Sequence, residues 1–171
     1  RSMNRWDFVA AGAERAAFFA GSTAFEERLV RLTKGYRDEI RATLHDDDVP
    51  LFVLPVQLRH EGKKPPAMAL LLQDRAVLLW STGLVRMKEH TAEIPYSDVT
   101  SISLEGDDGL EVNAMVSWYL GGFRDTTPIF RDLIAATLRN DFECRLDEHG
   151  HVANLEFHEL GMRLSFTDDN D

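Results

Sequence analysis

Between Leu51 and Asn140 the chain is cut into short apolar runs separated by turn signals, and it closes that stretch with one amphipathic helical segment. That layout is the profile of a small β-rich domain capped by a helix, and it suggests a fold but no chemistry. The runs are Leu51 to Arg59, Met68 to Gln73, Ala76 to Trp80, Leu84 to Lys88, Thr91 to Ile94, Val99 to Leu104 and Leu110 to Tyr119. His60 to Pro66, Gln73-Asp74-Arg75 and Ser81-Thr82-Gly83 divide them, which predicts short antiparallel strands. From Thr126 the period changes. Thr127 is placed to cap, Pro128 suits the first helical position, and Ile129, Phe130, Leu133, Ile134 and Leu138 share one face. This helix is expected to plug one side of the sheet.

The region before it, from about Asn4 to His45, is rich in Ala, Glu, Arg and Leu and contains no proline, so it is predicted to be helical. Gly21 offers a stop, and Thr23 with Glu26 three residues later is a capping-box pattern, so two helices are expected. Leu29, Leu32, Tyr36, Ile40 and Leu44 lie on one stripe of the second helix, which should be buried. The first helix gathers Phe8, Val9, Phe18 and Phe19 among alanines, a surface that needs cover from this chain or from another. Asp46-Asp47-Asp48 before Val49-Pro50 reads as a solvated linker. The expected organisation is therefore a helical hairpin over residues 1–48, a β domain with a capping helix over 49–140, and an acidic hairpin or tail over 141–171. Arg1-Ser2 ahead of Met3 reads as a cloning scar.

Of 171 residues, 44% are apolar, enough to fill one core of ordinary size. The net charge of −10 argues against nucleic acid, which is bound through Lys and Arg that neutralise phosphates. Residues 141–171 hold two basic and nine acidic residues and so account for −7, which leaves the body at only −3. A local basic cluster there can still act. One cysteine, Cys144, excludes an internal disulfide and points to a reducing cytoplasm, where it is expected to be an inert strand residue. Arg5, Asp7, Glu14 and Arg15 interrupt the N-terminal apolar residues, so no signal peptide is expected, nor does any run reach membrane-spanning length.

Residue patterns that carry chemistry are sparse. Asp147, His149 and His151 alternate as ligands on one strand face would, with Glu156 and His158 further on, but the run Asp147 to His151 is expected to be a hairpin turn rather than a metal site. No nucleophile, base and orienting group stand in a recognisable local pattern, and no cofactor is implied. Gly121-Gly122 is expected to let the last strand turn into the helix, and Trp80, Trp118 and Tyr119 to serve as core or edge aromatics.

Two stretches resemble a known family. Ala69-Leu70-Leu71-Leu72-Gln73-Asp74-Arg75-Ala76-Val77-Leu78-Leu79-Trp80 is similar to the central hairpin of bacterial pleckstrin-homology-like (PH-like) and GRAM-like domains, and Ile94-Pro95-Tyr96-Ser97-Asp98-Val99-Thr100-Ser101-Ile102 to their next turn and strand. The resemblance implies an α+β fold, a curved antiparallel β-sandwich or barrel capped by a C-terminal helix, and covers about Leu51 to Asn140. Neither the N-terminal helices nor the acidic segment belongs to the family pattern. It also implies that basic residues around the loop between the first two strands grip anionic lipid head groups, which here are Arg59, Lys63, Lys64 and Arg75, with Glu61 diluting them.

Three functional readings follow. The first is a non-catalytic interaction or assembly module that meets a protein partner or a second copy of itself through Phe8, Phe18 and Phe19. The second is a peripheral binder of an anionic membrane surface through the Arg59, Lys63 and Lys64 loop. The third is a small-ligand carrier or enzyme with a pocket in the sandwich, which calls for a buried histidine beside a carboxylate.

Overall fold

The computed structural model describes residues 5–20, 23–59, 62–83, 85–124 and 128–166. Three helices come first, α1 (Arg5–Ala20), α2 (Thr23–Gly35) and α3 (Arg37–Thr43). Seven strands follow, β1 (Phe52–Arg59), β2 (Pro66–Leu71), β3 (Arg75–Thr82), β4 (Lys88–Pro95), β5 (Ser101–Glu105), β6 (Gly109–Asn113) and β7 (Ser117–Gly121). Then come α4 (Ile129–Leu138), β8 (Phe142–Leu146), β9 (Val152–Phe157) and β10 (Met162–Ser165). Among the described residues the fold is α+β, with four helices, a seven-stranded antiparallel sheet in the order β4-β3-β2-β1-β7-β6-β5, and a three-stranded sheet in the order β10-β9-β8.

Strands β1, β2 and β3 bury five or six residues in succession instead of alternating. Continuous burial means that both faces are covered. One face turns inward, carrying Leu54, Val56, Ala69, Leu78 and Trp80. Helices cover the other. Gly12 lets α1 lie directly on β1, since a Cβ there would sit 3.4 Å from Val53 Cγ2. The Tyr36 hydroxyl and Ser81 Oγ are 3.1 Å apart, tying the start of α3 to the end of β3.

The large sheet curls on itself. Trp80 on β3 and Trp118 on β7 are three strand steps apart and about four residues out of register, which in a flat sheet would separate them by about 20 Å. Their ring centroids are 6.0 Å apart, edge to face. The two rings thus meet across the sheet, and α4 adds Phe130, Leu133 and Ile134 to the buried core. Its C-terminus is closed by Asn140 at φ 59, with the Asn140 N–H donating to Thr137 O and the Asp141 N–H to Ala136 O, both at 2.9 Å.

Several sequence expectations change. The helix expected from Thr23 onward is broken at Tyr36, which has φ −107 and ψ 20, where Gly35 weakens the helix and Tyr36 is drawn to Ser81. Its stripe is still buried at Leu29, Tyr36 and Ile40. The strand expected over Leu84 to Lys88 does not form at residues 85–87: Gly83 at φ +111 turns the chain, residues 85–87 form the tip between β3 and β4, Lys88 already begins β4, and Leu84 lies outside the described residues. Leu110 to Tyr119 is two strands, β6 and β7, around a turn at 114–116. Gly21, Thr127, the start at Asn4 and the side chains of Thr23 and Glu26 also fall outside the described residues.

Residues 142–166 of the acidic segment are folded into the body. Phe157 on β9 stacks on Phe52 of β1 at 6.2 Å, and Phe142 on β8 meets Tyr96 edge to face at 6.2 Å. Beyond the expected hairpin of β8 and β9, a third strand, β10, follows Gly161. Beside it, buried Arg15 donates from Nε to Leu51 O at 2.8 Å and from Nη2 to Pro50 O at 2.5 Å. Its guanidinium lies 5.4 Å from the Phe166 ring, and burial pushes its pKa down to about 10.

Candidate functional site

Antiparallel register places three loops at one end of the large sheet. Arg59, the last residue of β1, pairs with Tyr119, and β7 begins two residues away at Ser117. On the other flank Gln57 pairs with Pro66, the first residue of β2, and Trp80 of β3 pairs with Ala67. The β1–β2 loop, the β3–β4 tip and the β6–β7 turn therefore share an end, and the Trp80–Trp118 contact draws the last two together.

The tips are apolar where solvent alone would favour polar residues. Val85 is 98% exposed, Met115 86%, Met87 65% and Val116 61%. Cations surround them: Lys63 and Lys64 in the first loop, Arg86 and Lys88 on the second, and Arg59 at the end of β1, all exposed. Gly83 holds the β3–β4 tip tightly, since a Cβ there would run into the carbonyl of Arg86. Glu89 lies on the outer face of β4 beside Glu39 of α3, whose hydrogen bond raises the pKa of the Glu89 carboxyl. His60 and Glu61 lie outside the described residues.

Arg59 is held in place. Its guanidinium lies 4.0 Å from the centroid of the Tyr119 ring, and that ring in turn covers the glycine pair Gly109 and Gly121, where a Cβ would meet it at 2.5 and 3.1 Å. Lys64 also faces Arg28 of α2 across a shallow pocket of about 250 Å³ lined by Gln57 and Gly122. Beside it, Asp108 accepts the N–H groups of Arg124 at 3.1 Å and Gly122 at 3.3 Å, which together hold its carboxyl below the usual range.

Arg75 does not join this group. It sits at the opposite end of β3, paired with Pro95, and is buried against Asp48: Nη1 to Oδ1 is 2.7 Å and Nη2 to Oδ2 is 2.8 Å. Asp74, Glu93 and the Thr43 carbonyl take its remaining donors at 3.0, 3.2 and 3.3 Å. Asp48 is correspondingly not part of a solvated linker, although Asp46 and Asp47 are exposed.

The three phenylalanines of α1 divide. Phe8 and Phe19, eleven residues and about three turns apart, share a face, whereas Phe18 lies about 100° round the helix. Phe8 is buried and stacks on His151 at 4.8 Å, and Phe19 is half-buried and meets Phe52 edge to face at 6.2 Å, so both are engaged within the chain. Phe18 is 76% exposed.

The tail histidines do not converge. His149 lies 3.4 Å from Glu148, His151 against Phe8, and His158 3.8 Å from Glu143. Among the described residues no group of three or more His, Cys, Asp or Glu stands where it would hold a metal ion. Cys144 is half-buried in β8, and burial pushes its thiol pKa up. The half-buried His90 contacts Thr82 Oγ1 through Nε2 at 2.6 Å and stacks on Trp80. Among the described residues no helix is long and apolar enough to cross a membrane.

No family model and no curated protein matches this chain. Five solved chains do. One of them, the C-terminal domain of an unknown protein from Leishmania infantum, is 13% identical with a TM-score of 0.40, over 63% of this chain and 94% of that one.

Proposed function

We propose that this chain is a non-catalytic docking module built on a PH-like sandwich, and that its open end docks on an anionic lipid surface. The sandwich reading is supported by the curled seven-stranded antiparallel sheet with one helix following its last strand. The docking reading is carried by one observation: Val85, Met87, Met115 and Val116 stand exposed on adjacent hairpins at the same end as Arg59, Lys63, Lys64, Arg86 and Lys88.

Magnitudes say why both residue kinds are needed. Five cations near an anionic surface contribute about 1 kcal/mol each, which alone gives binding only in the submillimolar range. Each apolar tip that leaves water adds up to about 1.5–3 kcal/mol. Together they reach useful affinity against a chain whose net charge is −10.

Co-sedimentation with phosphatidylcholine vesicles, with and without phosphatidylserine, tests it. Binding is expected only to the anionic vesicles, weakening with salt and lost in Lys63→Glu plus Lys64→Glu. Val85→Asp or Met115→Asp should weaken it without changing the melting temperature. No binding at low salt, or binding indifferent to these substitutions, overturns the proposal.

A further inference from the structure

A second surface lies on the N-terminal helices, and it is independent of the lipid-docking end. Between α1 and α2 runs a groove of about 150 Å³, floored by Ala10, Ala13 and Leu29 with Trp6 and Val30 at its sides. Apolar cavities of about this volume admit a benzene ring. Phe18 stands on the same helix, one turn beyond Glu14, exposed and with its ring edge against Phe19 at 5.8 Å. A ring without a socket and a socket without a ring thus sit on one helix, about 12 Å apart along its axis from Ala10 to Phe18 and about 80° apart around it.

The rim of the groove identifies the occupant. Glu14 stands on the α1 side and Lys34 on the α2 side, and neither makes an ion pair or hydrogen bond among the described residues. A surface that carries both its own knob and socket and both members of a charge pair is self-complementary, as an interface between identical subunits related by a two-fold axis must be. We infer that two copies of this chain meet here, with Phe18 of each entering the α1–α2 groove of the other and Glu14 of each facing Lys34 of the other. Phe8 is buried within the subunit and Phe19 half-buried against Phe52, so Phe18 is the most outward ring of the three.

Sedimentation equilibrium of the full chain over a wide concentration range tests the inference. A monomer–dimer equilibrium is expected. Phe18→Ala should weaken it by about 30-fold or more, as an interface aromatic anchor does, with an unchanged melting curve at concentrations where the chain is monomeric, because the ring is exposed there. Ala10→Trp, which fills the groove from its own side, should do the same. Glu14→Lys and Lys34→Glu should each weaken the dimer, and the two together should restore it. A chain that is monomeric throughout, a dimer indifferent to Phe18→Ala and Ala10→Trp, or a double charge reversal no better than the single ones would each overturn it.

Discussion

Arg75 and Asp48 grip each other through two parallel contacts, 2.7 Å between Nη1 and Oδ1 and 2.8 Å between Nη2 and Oδ2, with both side chains almost wholly buried. The pair clamps the segment after α3 onto the start of β3, and Gln73 closes it by donating from Nε2 to Asp48 Oδ1 at 3.2 Å and accepting the Val49 N–H at 2.8 Å. Removing one partner leaves the other charge stranded, so Arg75→Met should cost about 3–5 kcal/mol in urea unfolding at neutral pH. Arg75→Met combined with Asp48→Leu should cost less than the sum of the two single changes.

The same pair sets a pH dependence. Burial pulls the Asp48 carboxyl upward, but the hydrogen bonds from Arg75, the His45 N–H and Gln73 outweigh it and leave its pKa below the ordinary value. A folded-state pKa below the unfolded one means stability that is fully present above about pH 4, the unfolded value, and lost as pH falls through the folded value. Unfolding free energy should therefore drop as pH falls below about 4 more steeply in the wild type than in Asp48→Asn. Equal slopes would remove Asp48 from the account.

Gly109 is a close-approach glycine rather than a flexible one. A Cβ there would stand 2.5 Å from Tyr119 Oη and 2.9 Å from Leu120 O, so both ring and backbone must move. Gly109→Ala should destabilise the fold by about 1–3 kcal/mol. Adding Tyr119→Ala should recover part of that loss, and a cycle of thermal melts would read the coupling.

Phe8 and Phe18 should behave oppositely on truncation. Phe8→Ala is expected near the lower end of the usual range of about 3–5 kcal/mol, because its ring is buried against His151 at the margin of the core. Phe18→Ala should fall within about 0.5 kcal/mol of wild type at concentrations where the chain is monomeric. A large loss for Phe18 would mean that its ring is structural.

Gly83 should be as intolerant for a different reason. Its φ of +111 is a conformation that residues with a Cβ rarely adopt, and the Arg86 carbonyl blocks the added atom. Gly83→Ala should cost about 1–3 kcal/mol and speed amide exchange around the β3–β4 tip. It should also weaken vesicle binding with every cation still present.

The strands were legible because turn residues bound their short apolar runs, and the capping helix because its apolar residues recur at helical spacing. Leu84 to Lys88 reads as a strand because Leu84, Val85 and Met87 look like strand residues, and apolar tips carry no signal that sets them apart from core. The turn at 114–116 holds neither Gly nor Pro. Asn113 makes it instead, donating to Ser101 Oγ at 3.0 Å and accepting the Ser117 hydroxyl at 2.8 Å. The clue available was length, since a ten-residue run is long for a strand in so small a sheet. Those two misread stretches are the two apolar tips, so the docking end was hidden by the same residues that form it. The buried role of Asp48 had no local signal at all, because its partner lies 27 residues away.

The three tryptophans turn out to be distributed as if to instrument the molecule. Trp6 borders the groove between α1 and α2, whereas Trp80 and Trp118 touch across the open end of the sheet. In Trp6→Phe the remaining indole emission reports only on vesicle docking, and in Trp80→Phe plus Trp118→Phe it reports only on self-association. The two events can thus be followed separately in one unlabelled chain.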